Sequence, residues 1–527
     1  MHRVFQIPEI LLNIFRHCPL PRESATSDLL ALARTCHAFK EPALDVLWEG
    51  SVEPSALVQC LPEASQQLGR VRSSIRFASS DCEYFCSMKR YSFNRPLTHI
   101  EWGILRSYTR RIRSMGNNRD RLDWESARTF LNPPIAEPLF PNLRRLYFHL
   151  PTKATIEHFL YMPFPSLISF DVWIIDREDL YLLQGPLESF YKFSPDIKRL
   201  SITSVCIDIA FSNFFSSYIC GWRDLRAVDC NSVALDADAL AHLSHMPALS
   251  HLSFTPSATL PPSDLPIFFT NLRHLTLFSR LLDPISLVLS WVRLPTITHF
   301  TFVIYCRPSK QDFSSFLTSA QTSGLSHTIR EFVLEEGCRT LHDAEDAILG
   351  FEALEPCMAF SNLRRIYVDL AWKVDLSDRE LLTLAPAWAH LEHLLINMRW
   401  GWNTLGGITP DGLLQLLQTC RSLCDIALAI DARGYTKFHE LPASLGLTLP
   451  PTFSINVLDS FIEEESVPVI AAFLAGIAPR PNFSFIAHRG LRRGSERTDH
   501  KDRWYDAYRR ANDILRQDTR HTSYRIP

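Results

Sequence analysis

From residue 110 onward the chain repeats one short arrangement of apolar positions, apolar-x-x-apolar-x-apolar, often after a Pro or Asn. It reads LRRLYF at 143, LISFDV at 167, IKRLSI at 197, LRAVDC at 225, LSHLSF at 249 and LRHLTL at 272. It continues as ITHFTF at 297, IREFVL at 329, LRRIYV at 363, LEHLLI at 391 and LCDIAL at 423. The copies lie 23 to 34 residues apart, with a mean of 28. In an extended chain positions four and six fall on one face, so each copy predicts a strand with a buried side. Helical spacing lies between copies, as in ATIEHFLYM (154–162) and DADALAHLSHM (236–246). In the latter, Asp236 or Asp238 can cap the helix start and Pro247 breaks its end.

A strand plus a helix every 20–30 residues is the pattern of a leucine-rich-repeat-like solenoid. One unit cannot bury its apolar strand face alone, whereas stacked units share a continuous core. With a degenerate copy at 112 (IRSM) and FSFI at 483 as the last, about 12 repeats fill residues 110–490. The predicted fold class is α/β: three N-terminal helices, then an irregular solenoid with a curved sheet on its concave face and helices outside. A doubly wound α/β sheet also alternates strands and helices. Eleven copies of one strand phrase are too many for a single open sheet, and no glycine-rich loop follows any of them. The asparagine that usually ties the turn after the strand is missing from most copies.

The first fifty residues follow another pattern. Glu9 to His17 sets Ile10, Leu11, Ile14 and Phe15 on one side of a helix. Leu29, Leu32, Ala33 and Cys36 recur at i, i+3, i+4, i+7, with Thr26, Ser27 and Asp28 as cap candidates. After a break at His37–Phe39 a third helix is expected from Pro42, lining up Leu44, Leu47 and Trp48. Three helices this short cannot cover all of these stripes with each other. An apolar patch left exposed on such a unit usually meets a partner.

At these residues the chain resembles the F-box family. IPEILLNIF (7–15) is similar to the F-box opening, and LLALARTCHAFKEPALDVLW (29–48) to its second half as found in fungal F-box proteins. Pro8 directly precedes Glu9, where the commoner motif has one residue between them. More loosely, Trp102 to Arg113 resembles the segment joining the F-box to irregular repeats. The resemblance implies docking onto the Skp-type adaptor of a cullin–RING ubiquitin ligase, with the repeats recruiting a protein to be ubiquitinated. It implies that Ile7, Pro8, Ile10, Leu11, Ile14, Phe15, Leu29, Leu32 and Cys36 line the adaptor groove. Trp48 would lock the third helix against the bundle. The other expectation is a repeat scaffold whose F-box-like start no longer binds an adaptor. The expected division is 1–50 F-box helices, 51–109 linker and cap, 110–490 repeats and 491–527 a basic tail.

Charge and chemistry narrow this picture. The net charge of −3 argues against a globally basic nucleic-acid binder, although twelve Lys/Arg against six Asp/Glu stand between Arg480 and Pro527. Along that tail Trp504, Ala507, Tyr508, Ala511 and Leu515 form a helical stripe suited to capping the last repeat. Thirteen scattered cysteines, with CxxxC only at Cys82/Cys86 and Cys420/Cys424, suggest reduced thiols and an intracellular chain. The run VPVIAAFLAGIAP is too short to span a bilayer. There is no GxSxG, no phosphate-binding loop and no HExxH. No catalysis, cofactor or metal is therefore expected, and the cytoplasm or nucleus is the expected location.

A target would be met on the strand face, where position three of the phrase points outward. That column includes Arg145, Arg199, His251, His274, His299, Arg365 and His393. Histidines in three consecutive copies suggest either a pH-sensitive, acid-binding ladder or a plain solvated row. MRWGWNTLGG (398–407) suggests a protruding loop, in which Trp400 and Trp402 either take part in binding or pack down over the solenoid edge.

Overall fold

The computed structural model describes residues 7–17, 25–63, 66–76, 83–117, 121–122, 129, 133–134, 137–149, 161–174, 177–204, 208–257, 266–306, 310–323, 328–337, 348–404, 407–437, 447, 449–450, 452–478, 480–481, 483–487 and 497–523. Of the features read from the sequence, residues 154–160 of the helical spacing, Cys82, 405–406 of the two-tryptophan stretch and 491–496 of the basic tail lie outside them. The chain divides into two units, Met1–Thr255 and Pro256–Pro527. Each is a run of leucine-rich-repeat-like units built on parallel strands.

In the first unit the ladder runs through Ser51–Val52, Ser114–Asn117, Arg145–His149, Ser169–Ile174, Arg199–Ser204, Ala227–Leu235 and His251–Pro256. In the second it runs through His274–Ser279, His299–Ile304, Glu331–Glu336, Arg365–Asp369, His393–Ile396, Asp425–Ala427, Ser454–Asn456 and Ser484–Ile486. In all eleven phrases the residues at positions one, four and six are buried, from Leu143, Leu146 and Phe148 to Leu423, Ile426 and Leu428. This apolar triplet explains the fold: each strand inserts two side chains into the core, and position one seals the turn before it.

Register is set by a recurring backbone device. The carbonyl at position two accepts the N–H groups of positions two and three of the next copy. Arg113 O takes Arg144 N (2.8 Å) and Arg145 N (3.0 Å), and Ile168 O takes Lys198 N and Arg199 N (2.8 and 3.0 Å). Arg364 O takes Glu392 N and His393 N (2.7 and 2.9 Å) in the same way. One acceptor therefore pins two donors per step, and slippage by a single residue would lose both.

Caps hold the outer helices. Asp236, not Asp238, accepts from Ala239 N (2.8 Å). Asp378 accepts from Thr409 N (2.9 Å) and Thr409 Oγ1 (2.6 Å), tying the helix Asp378–Leu384 to the helix Pro410–Thr419. Gly412 lies against that carboxylate, which a Cβ there would overlap. Gly412→Ala should destabilise by about 2 kcal/mol, lowering the melting temperature by a few degrees; calorimetry checks it. The tail helix Arg497–Ser523 buries Trp504, Ala507 and Ala511, and Tyr508 Oη donates to Phe483 O (2.9 Å). The apolar run near the end is the buried helix Val467–Ile477. Among the described residues, no helix is long and apolar enough to cross a membrane.

Three features depart from the sequence reading. The third helix starts at His37 and runs unbroken to Glu49, with Pro42 inside it. At His37–Phe39 the chain is therefore already helical, and Cys36, in extended conformation, precedes it. Thr26, Ser27 and Asp28 are not caps, because their helix already begins at Ala25. Second, Gln66–Arg76 pairs antiparallel with Glu83–Phe93 over eleven residues each, forming an arm within the segment read as a linker. Third, a strand at Ser454–Asn456 fills the double-length gap between the copies at 423 and 483.

Candidate functional site

Three helices, α1 (Pro8–His17), α2 (Ala25–Thr35) and α3 (His37–Glu49), open the first unit. Their shared core is Leu11, Phe15, Leu29 and Ala43, with Leu32, Ala33, Phe39, Val46 and Leu47 packed against it. Phe15 meets Phe39 edge-on at 5.6 Å between ring centres. Of the nine residues expected to line an adaptor groove, Leu11, Phe15 and Leu29 thus face inward, and Leu32 packs with them. Ile10 and Cys36 are half-buried, and Pro8 is exposed. Ile7 (43%) and Ile14 (41%) are exposed together with Leu30 (38%), which the periodicity passed over. The i, i+3, i+4, i+7 stripe marks the side that holds the bundle together, so the outward apolar residue is the one beside it.

α3 is fastened to the helix His99–Thr109, whose start carries a Thr98/Glu101 capping box. Trp48 is buried against Tyr108, ring centres 4.8 Å apart. Arg111, just past that helix, pairs with Glu41 and Asp45 on α3, and its Nε donates to Ser107 O (3.0 Å). The Arg111 hydrogen bond holds the Glu41 carboxyl below its ordinary range. Glu49 at the end of α3 takes ion pairs from Arg16 (2.7 Å) and Arg113 (3.4 Å). Residues Trp102 to Arg113 thus form the joint to the first repeats.

On the strand face of the first unit, Arg145 and Arg199 stand at position three on either side of Ser169 and are exposed, as is His251 on the last strand. One residue earlier, Arg113, Arg144, Ile168 and Lys198 follow one another strand to strand. They line an open cavity of about 530 Å³ together with Asn142, Ser166 and Asp196. Asn142 and Ser166 are engaged in backbone hydrogen bonds, to Arg110 O (2.7 Å) and Pro141 O (2.8 Å).

The same column in the second unit mixes histidines, an arginine and two acids. His274 stacks on His299 with ring centres 4.0 Å apart. His299 lies 3.3 Å from Glu331, which also takes Arg365 at 3.3 Å. His393 lies 3.6 Å from Asp425. Of the three consecutive histidines, His299 thus already has a carboxylate beside it, and His393 further along has Asp425. Trp400 and Trp402 are buried, so the stretch Met398–Gly407 presents neither to a partner. Trp402 Nε1 donates to Ile396 O (3.1 Å), and Asp459 accepts from the amides of Trp402 (2.8 Å) and Asn403 (2.9 Å). The thiol of Cys420 is pushed up to about 11 by burial, and the cysteines whose side chains are described are free.

No family model matches the chain, and no curated protein matches it. Among solved structures the chain is similar to an internalin (inlF) from Listeria monocytogenes. Identity is 12%, over 64% of this chain and 80% of that one, at a TM-score of 0.29. The Rad7 and Elc1 complex in yeast follows at 13% identity, 58% and 80% coverage and a TM-score of 0.23. The leucine-rich-repeat ectodomain of the plant membrane receptor kinase GASSHO1/SCHENGEN3 from Arabidopsis thaliana stands at 12%, 61% and 42%, and 0.22. Likenesses this partial leave the ladder's own register as the ground for the repeat architecture.

Proposed function

We propose that residues 7–48 are an F-box and that the chain is a substrate receptor of a cullin–RING ubiquitin ligase. It would act in the cytoplasm or nucleus, with no catalysis of its own, holding a protein target near a ubiquitin-loaded enzyme by raising its effective concentration. The observation that carries this reading is the exposed apolar set Ile7, Ile14 and Leu30 on a bundle whose core is already filled. Side chains of that size left in water on so small a unit fit a partner surface, and the F-box resemblance names a Skp-type adaptor as that partner. The fastening of α3 by Trp48 and Arg111 supports a receptor in which adaptor and target are held at a fixed separation.

Co-purification of the full chain with a Skp-type adaptor tests it. The wild type should bind, and an Ile14→Asp, Leu30→Asp variant should lose binding while keeping its melting temperature, because both side chains already face water. Ile209→Asp, the same kind of change at a more exposed apolar residue on a repeat helix, should bind as the wild type does. A wild-type chain that fails to bind the adaptor would leave a repeat scaffold and end the ligase reading.

A further inference from the structure

The cavity in the first unit carries positive charge that the fold does not use. At Arg113, Arg144, Ile168 and Lys198 the register is carried by backbone N–H and carbonyl groups. Yet Arg113, Arg144 and Lys198 occupy position two on neighbouring strands, with Arg145 and Arg199 one residue further on. Among the described residues, Arg144, Arg145, Lys198 and Arg199 have no ion-pair partner, whereas Arg113 reaches Glu49 at 3.4 Å. Asp196 is the one acid in the lining. Mutually repelling cations brought this close raise the local potential, a cost that an anionic ligand relieves. In a chain whose net charge is −3, this concentration is local.

We propose that this cavity binds an extended acidic segment of a protein partner, its side groups bearing carboxylates or phosphates. Arg144 and Lys198 are two strand spacings apart, about 10 Å, the length of about three residues of extended chain. Anionic groups three residues apart would therefore meet successive cations. Separated charges suit the site better than a continuous phosphate backbone. Asp171 and Asp229 stand further along the same face, and a nucleic acid laid across it would meet both. The proposal rests on the repeats being the target-binding part of the receptor and is independent of adaptor binding.

The test uses the full chain and short fluorescein-labelled peptides that differ only at every third position: glutamate, phosphoserine or glutamine. Fluorescence anisotropy should show salt-sensitive binding of at least one anionic peptide and none of the glutamine peptide, and the stronger of the two names the chemistry. An Arg144→Glu, Lys198→Glu variant with an unchanged melting temperature should bind at least about tenfold more weakly. An Arg421→Glu control, on an exposed position of the second unit, should bind as the wild type does. The proposal falls if neither anionic peptide binds, if the glutamine peptide binds equally well, if the double variant binds undiminished, or if a single-stranded oligonucleotide outcompetes both anionic peptides. Adaptor co-purification run on the same proteins separates the two readings. Peptide binding without adaptor binding ends the ligase assignment and leaves the acidic-segment site standing.

Discussion

Trp48→Ala should cost about 3 kcal/mol and free α3 from the joint that follows it. The indole is buried on the Tyr108 ring, where the small N-terminal bundle meets the capped helix His99–Thr109, and alanine leaves a cavity that the two helices cannot collapse to fill. What remains are ion pairs with partly exposed carboxylates, Arg111 with Glu41 and Asp45 and Arg113 with Glu49 (3.4 Å). Faster proteolysis around residues 50–54, together with a lower denaturant midpoint, is the expected signature, and Trp48→Phe should restore most of both. A proteolysis rate equal to the wild type's would show that Trp48 does not hold the joint. The variant should also become acid-sensitive. The folded-state pKa of Glu41 lies below its unfolded value near 4.5, because of the Arg111 hydrogen bond first and despite some burial. Its contribution is therefore fully present above that value and is lost as pH falls through the lower, folded one. Proteolysis of Trp48→Ala should accelerate between neutral pH and the acidic end of that window more than the wild type's does.

Asn397→Ala should cost the second unit about 3 kcal/mol. Asn397 is fully buried in the turn after the strand His393–Ile396, with a positive φ of 54°. Its Oδ1 accepts from Leu370 N (3.0 Å) and its Nδ2 donates to Trp372 O (2.8 Å), so one side chain ties two points of the preceding repeat. Alanine leaves that N–H and that carbonyl unpaired in a dry interior and keeps an unfavourable left-handed backbone. A drop in the guanidinium midpoint with the slope unchanged checks it, and hydrogen exchange should quicken first at Leu370. A loss below about 1 kcal/mol would mean that water replaces the amide. Asn397→Asp should not rescue, since a carboxylate keeps the acceptor but offers Trp372 O no donor.

Much of the repeat region is legible because positions one, four and six must be apolar for any copy to join the stack. The strand at Ser454–Asn456 escaped because Phe453, Ile455 and Val457 merely alternate, without the apolar-x-x-apolar opening that identifies the other copies. Which of the two readings holds for Trp400 and Trp402 is decided at longer range, and both pack inward. Asp459, more than fifty residues away, folds their segment inward by accepting two of its amides, and neither local composition nor period carries that information. The same limit applied at α2. Periodicity identifies an apolar stripe but not whether its side meets the bundle or a partner, so Leu29 was read as a contact and Leu30 was not. The break assigned at His37–Phe39 came from treating Pro42 as a helix start, although its ring is accommodated within the continuous turns of α3.

Because most rungs are pinned by a carbonyl that every residue possesses, the side chain at position two adds to the stack only in places, as where Thr298 Oγ1 donates to Arg273 O (3.1 Å) or Arg364 pairs with Glu392 (2.8 Å). The residues found there are Arg113, Arg144, Ile168, Lys198, Arg226 and Ser250 in the first unit, and Arg273, Thr298, Arg330, Arg364, Glu392 and Cys424 in the second. Mutation can thus rewrite this line of charge one letter at a time without first solving the folding problem again. A lineage that must follow a changing target needs such a margin, in which recognition can drift while the architecture stays still.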